Sequence, residues 1–402
     1  MPLVSDDIRR LNRADVLSQL FRDGALSRTT LATKTGLTRA AISRIADELI
    51  ACGLIRESEH SVGRPARGRP QVGLELRAAG GYVVGVGLGA FEQALQVTNL
   101  RGECLARRRL RLKFGTTAAA ALKDVALSAR ALMKEVGAGQ SRLLGVTLAV
   151  AGVVDHIGGV VIESPNLGWS DVDAGSALSK ALAAPVQVEA MHHVLNQAEA
   201  ARPAVPHVSD TVLVNVAMGI GASVMEQGHI VRGHHAAAGQ IGHMRTADNG
   251  ELCTCGRFGC LDTVASGFAV LRRLGRVEPR RIAREHRTAD ANRLLVAIAE
   301  ERAGDAKVRS AFRHCGTWLG AALDGVRAVV DPERILLAGP LCEVPSFVEG
   351  VRTRFYGPAD AAGRGAQVPL ALSTQSTDAA AAIMALAQFA FSPRLDLARL
   401  RR

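Results

Sequence analysis

Between Gly239 and Ser266 the chain reads Gly-Gln-Ile-Gly-His243, and then Cys253-Thr-Cys255-Gly-Arg-Phe-Gly-Cys260-Leu-Asp262. One histidine and three cysteines, with glycines between them that let the backbone double back, form the donor set of a tetrahedral Cys₃His zinc site. Four protein ligands leave no open position for water, so a zinc ion on His243, Cys253, Cys255 and Cys260 is expected to be structural. The His-x-Glu and Pro-Cys-x-x-Cys signatures of a zinc deaminase do not occur around these residues. Bare reactive thiols are the competing reading.

The remaining cysteines, Cys52, Cys104, Cys315 and Cys342, stand among apolar residues and are expected as buried free thiols in a reducing compartment. No signal-peptide pattern opens the chain, and no apolar run is long enough for a bilayer, so a cytoplasmic protein without a membrane partner is expected. A length of 402 residues allows two or three domains. The formal charge of +11 points to a polyanionic partner, double-stranded DNA first, but taken alone it fits an arginine-rich solvated surface equally well.

The N-terminal segment carries the detail that this charge needs. Ile8, Leu11, Val16, Leu17 and Leu20 recur at helical spacing, and Gly24 stops the helix. Ser27 is placed to cap a second helix ending at Gly36, and Thr38 to cap a third that runs from Arg39 to Cys52. Two short helices joined by Thr35-Gly36-Leu37 match a helix-turn-helix. Ile42, Ile45, Leu49 and Ile50 are expected to form the buried stripe of the third helix. Arg39, Ala40, Ser43 and Arg44 then face outward near its start.

Arginines there can reach phosphates or guanine edges, Ala40 permits close approach, and Thr38 and Ser43 can donate to phosphate. Arg28 opens the second helix and joins the expected contact set. Strands around Leu54 and Val72 flank Gly63-Arg-Pro-Ala-Arg-Gly-Arg-Pro70, a wing with Arg64, Arg67 and Arg69 at its tip. A flexible linker competes for the wing, and a small helical protein-interaction domain for the whole unit.

From Tyr82 the pattern becomes strands, a glycine turn and a helix from Thr117 to Glu135, followed by an apolar strand from Leu144. A comparable strand cluster starts at Thr211. The repetition predicts two α/β lobes around a cleft.

Beyond the cysteine segment, the chain carries Ala151-Gly152-Val-Val-Asp, Ser164-Pro-Asn166-Leu-Gly-Trp169, Arg232-Gly233 and Asp331-Pro-Glu-Arg-Ile-Leu-Leu-Ala-Gly339. An alanine-rich helix from Asp378 closes the set. With these motifs the chain resembles the repressor, open-reading-frame and kinase (ROK) family over nearly all of residues 8–390. The resemblance implies a two-lobed actin/hexokinase-like body behind a winged helix-turn-helix, the arrangement of the family's regulators; its kinases generally lack the N-terminal unit. The expected division is residues 1–78 for the reader and 79–402 for the body. Lobe 1 takes about 82–200 plus the C-terminal helix from about 377, and lobe 2 takes about 205–375.

The resemblance also marks what has changed. Where the family's kinases have Asp-x-Gly-Gly-Thr, this chain has Gly87-Leu-Gly89-Ala90-Phe91, and the second phosphate turn reads Ala217-Met218-Gly219-Ile220-Gly221. The general-base aspartate of Asn-Asp is Met191, after Val188-Glu189-Ala190. Methionine accepts no proton, and a phosphate cradle without its aspartate and threonine has lost its metal and hydroxyl contacts. His192 and His193 are the nearest substitute bases. The two glutamates that grip sugar hydroxyls in family members are Gln240 and Asp262 here, and with Asn166 and His243 they form the expected effector set.

The expected function is therefore a DNA-binding repressor of carbohydrate-related genes. It would act as a homodimer or homotetramer on a two-fold site and be controlled by a sugar-like effector, without kinase activity. A carbohydrate kinase with an appended DNA-binding domain is the alternative, and an effector-independent regulator a third reading.

Overall fold

The computed structural model describes residues 5–61, 72–112, 116–201, 208–246, 250–277, 287–357 and 368–400. The expected wing tip, with Arg64, Arg67 and Arg69, lies outside the described residues.

The N-terminal unit runs α1 (Ser5–Asp23), β1 (Leu26–Ser27), α2 (Arg28–Thr35), α3 (Arg39–Ala51), β2 (Ile55–Ser61) and β3 (Val72–Leu76). Its helix starts form as the side chains dictate. The Ser27 hydroxyl accepts from the Thr30 N–H at 3.1 Å and the Thr38 hydroxyl from the Ala41 N–H at 3.2 Å, each satisfying an otherwise unpaired amide. β2 and β3 pair antiparallel, and β1 adds to the far side of β3. This is a winged helix-turn-helix.

Two expectations about its faces need correction. Ile50 is 36% exposed, while Ala46 is fully buried. At about 100° per residue, Ala46 sits close to the Ile42–Leu49 line and Ile50 falls off its edge. Ile8 and Leu11 are likewise exposed, and α1 buries only its C-terminal half through Val16, Leu17 and Leu20.

Lobe 1 contains β4 (Tyr82–Leu88), β5 (Gln93–Asn99), β6 (Cys104–Arg109), α4 (Ala118–Glu135), β7 (Leu143–Val150), β8 (Val153–Asp155), β9 (Val160–Ser164), β10 (Trp169–Asp173), α5 (Ala174–Leu182), β11 (Val186–Ala190) and α6 (Met191–Ala200). Its main sheet has the order β11-β7-β4-β5-β6, with β8 to β10 forming a small separate sheet. Cys104, expected as buried, is exposed because it opens β6, the edge strand at the rim of this sheet.

Lobe 2 contains β12 (Thr211–Val216), β13 (Ile220–Glu226), β14 (His229–Val231), α7 (Asp262–Ala265), α8 (Gly267–Arg273), α9 (Arg287–Arg302), α10 (Ala306–Val330), β15 (Arg334–Ala338), α11 (Pro345–Tyr356) and β16 (Leu370–Leu372). Its sheet order is β14-β13-β12-β15-β16. Two mixed five-stranded sheets with helices against them give the two-lobed α/β body.

The chain then crosses back. α12 (Thr377–Ala385) lies against β4, and its buried Asp378 takes Arg107 of β6 in a two-point ion pair of 2.6 and 3.0 Å. A π-helical turn (Leu386–Ala390) and α13 (Leu397–Leu400) follow. Leu386, Phe389, Leu395, Leu397 and Leu400 share one buried cluster with Val16, Leu17, Leu20, Leu49 and Leu54 of the reader. The C-terminal segment thus straps the reader to lobe 1. Among the described residues no helix is long and apolar enough to cross a membrane.

Candidate functional site

The reader presents the N-terminal half of α3. Thr38, Arg39, Ala40 and Arg44 are exposed and Ser43 is partly so, whereas Ile42, Ile45 and Leu49 anchor the opposite face. Thr38 spends its oxygen on the helix cap, but the hydroxyl proton remains available to a phosphate. Among the described residues, no carboxylate pairs with Arg39 or Arg44. Arg28 differs: its guanidinium is held by Glu57 at 3.1 Å and by Asp47 at 4.0 Å.

The cysteine segment closes as its spacing predicts. One donor atom from each of His243, Cys253, Cys255 and Cys260 lies within 4.8 Å of all the others. Cys255 Sγ and Cys260 Sγ are 3.6 Å apart, and Cys253 Sγ is 3.5 Å from His243 Nδ1. Tetrahedral zinc with bonds of about 2.3 Å to sulfur and about 2.0 Å to nitrogen needs separations of roughly 3.5–3.8 Å, which these two pairs match, so the four residues could hold such an ion. Because Nδ1 faces the cysteines, Nε2 is left for the other side of the ring.

The same histidine also borders the cleft. A cavity of about 370 Å³ lies between the lobes, and Asn166, Gln240, His243 and Asp262 all line it. All four expected effector residues, from three separate segments, are therefore gathered around one space. Asp262 is also a structural residue, since its Oδ1 accepts from the Ile220 N–H at 2.7 Å and so holds the turn between β12 and β13. The wall contains further residues that the sequence did not single out, among them Glu163, Asn215, Arg257 and Asp290. No local motif marks them. They converge only when β9, β12, the cysteine loop and α9 pack.

Met191 and His192, at the start of α6, face the same cavity. Burial first, and then the neighbouring charge of His193, push the His192 imidazole well below its usual range, to about 3, so the ring is neutral at pH 7. His193 is turned away, its Nδ1 2.9 Å from buried Glu189. The first glycine turn is closed to an aspartate: a Cβ added at Gly87 would lie 2.8 Å from Cβ of Thr377. Phe91 and Met218 pack against the hydrophobic core of lobe 2. Apolar side chains therefore stand on both of the turns that correspond to phosphate turns in kinases.

Comparison with known proteins agrees with this geometry. A family model described as the ROK family matches residues 83–388. A xylose repressor of Caldicellulosiruptor bescii is 24% identical over 335 residues, covering 82% of this chain and 83% of the relative. The DNA-binding transcriptional dual regulator NagC of Escherichia coli is 25% identical over 339 residues, covering 84% and 82%. Among solved structures, a ROK family transcriptional regulator homologous to the E. coli MLC protein superposes with a TM-score of 0.75 at 24% identity, covering 98% of this chain and 99% of its own. A ROK hexokinase from Thermus thermophilus superposes with a TM-score of 0.59 at 23% identity, covering 76% of this chain and 97% of its own. The likeness to the solved structures concerns the fold; the family model spans well over half of the sequence, and the chain belongs to the ROK family.

Proposed function

We propose that this protein is a sugar-responsive, DNA-binding transcriptional repressor without kinase activity. Residues 1–78 would read the operator, and residues 79–402 would sense the effector. The observation that carries this reading is one chain with two exposed arginines on the outer face of α3 and a polar cleft whose base position is Met191. Relatives named as xylose and N-acetylglucosamine repressors support a carbohydrate effector.

In this reading Thr38, Arg39, Ala40, Ser43 and Arg44 meet one DNA groove and its phosphates, with Arg28, Arg64, Arg67 and Arg69 adding backbone contacts. Asn166, Gln240, His243 and Asp262 hold the effector. Zinc on His243, Cys253, Cys255 and Cys260 fixes the loop that carries Gln240 and the start of α7, and orients the His243 ring toward the ligand. Two copies on a two-fold operator, as homodimer or homotetramer, would have their reader spacing changed by lobe closure. Such a protein acts where the chromosome is, in the cytoplasm.

The test is selection of genomic fragments by the zinc-loaded protein, footprinting, and titration of the complex with D-xylose and N-acetylglucosamine. A short inverted-repeat footprint that one sugar releases is the expected result. Sequence-blind binding, together with phosphorylation of a sugar from ATP, would overturn the reading.

A further inference from the structure

We infer that Arg142 is a positioning residue: its guanidinium locks the C-terminal end of α3 onto lobe 1 and so sets the angle at which the helix is presented. The inference rests on reading the chain as a DNA-binding regulator. It starts from how α3 ends. Gly53, at φ +72°, turns the chain so that its N–H bonds the Ile50 carbonyl at 2.9 Å and the Leu54 N–H bonds the Leu49 carbonyl at 3.0 Å. That closure leaves the Cys52 carbonyl facing off the helix end, where the backbone dipoles concentrate negative charge.

Arg142 fills this position from 90 residues away. Its Nη1 donates to the Cys52 carbonyl at 2.7 Å and to the Gly80 carbonyl at 3.1 Å. Gly80 itself lies so close that an added Cβ would be 2.6 Å from the Gly53 carbonyl. One nitrogen therefore ties the recognition helix to the connection between reader and body at a point already packed to contact.

The place of Arg142 in the body gives the lock a direction. It immediately precedes β7, which is buried at every position and paired on both sides, to β11 and to β4. The strand's 8 residues span about 26 Å. At the far end Ala151, Gly152 and Val153 line the cleft. A strand held on both flanks moves with its sheet, so lobe movement at the cleft reaches the end of α3 through Arg142.

The experiment uses the full-length, zinc-loaded protein and its Arg142→Ala and Arg142→Lys variants. The probes are a duplex that the wild type selects from a randomised pool and a scrambled duplex of equal length. Arg142→Ala is expected to lose about tenfold in affinity for the selected duplex, the scale of a charge-assisted hydrogen bond, with scrambled-duplex affinity and zinc content unchanged. Lysine, which can donate to both carbonyls, should restore most of the loss. Equal loss on both duplexes, or none on either, would overturn the inference.

Amide hydrogen exchange without DNA supplies the second measurement. Peptides over residues 49–56 and 78–82 should exchange faster in Arg142→Ala and as wild type in Arg142→Lys, while the zinc loop is unaffected. Unchanged exchange over 49–56 would overturn the lock. Should the wild type select no duplex, the regulator reading falls, and exchange at 49–56 alone decides for or against Arg142.

Discussion

Glu189 and Arg232 join the two lobes. The carboxylate of Glu189, at the end of β11, accepts from Arg232 Nη2 at 2.6 Å just beyond β14, and its other oxygen meets His193 Nδ1 at 2.9 Å. Burial alone would push this carboxyl up. The hydrogen bonds and charges of His193 and Arg232 outweigh burial and hold it at about 2, against an ordinary 4.5.

A depressed carboxyl pKa stabilises the fold in full above the unfolded value and loses that contribution as pH falls through the folded one. Glu189→Gln should therefore be less stable than wild type at pH 7 by on the order of 2–3 kcal/mol, and the gap should narrow between pH 4.5 and about 2. Urea unfolding of both proteins at pH 7 and pH 3 checks this, since acid release of any metal held by the cysteine loop would affect the two alike. A gap that is constant with pH would mean that Glu189 is not ionised in the fold.

The phosphate side of the cleft predicts that activity cannot be restored by one change. Met191→Asp returns a base to the cavity, but Gly87 is packed against Thr377 and Phe91 against lobe 2. Neither wild type nor Met191→Asp should form sugar phosphate from magnesium-ATP with D-xylose, N-acetylglucosamine or glucose, followed by ³¹P spectroscopy. Turnover by Met191→Asp would show that the glycine turn tolerates nucleotide.

Much of this molecule was legible from local chemistry. Ser27, Thr38 and Thr117 cap the helices whose starts they mark, and the cysteine spacing brings four donors together, because each effect acts within one short stretch of chain. What stayed hidden depends on segments distant in sequence. The pairing of Arg107 with Asp378 spans 271 residues and that of Glu189 with Arg232 spans 43. Nothing beside Arg142 in the sequence says that it ends another unit's helix. Edge effects were also invisible: Cys104 and Ile50 carry apolar character, but one opens an edge strand and the other falls off a helix stripe.

Metal removal should separate fixed from dependent parts. Cys253 and Cys260 are buried and Cys255 is exposed, so a chelator reaches the site from the Cys255 side. Cys253→Ser is expected to lose zinc, measured by elemental analysis, and to raise hydrogen exchange across residues 239–262 while the reader keeps its protection. Unchanged exchange in a metal-free variant would mean that the glycine turns hold the loop unaided.

The arginines of the reader should divide by their partners. Arg39 and Arg44 are exposed without a carboxylate partner among the described residues, so DNA phosphates would be their first strong anions. Arg28 must first leave Glu57 at 3.1 Å. Each phosphate contact releases about one counterion, which steepens the fall of log K with log salt by about 0.9. Arg39→Ala and Arg44→Ala should each flatten that slope by about one per reader, and Arg28→Ala by distinctly less. Binding of all three variants across a salt series makes the comparison. Equal slopes for Arg28→Ala and Arg44→Ala would place Arg28 on the DNA as fully as the recognition helix, with its Glu57 pair broken on binding.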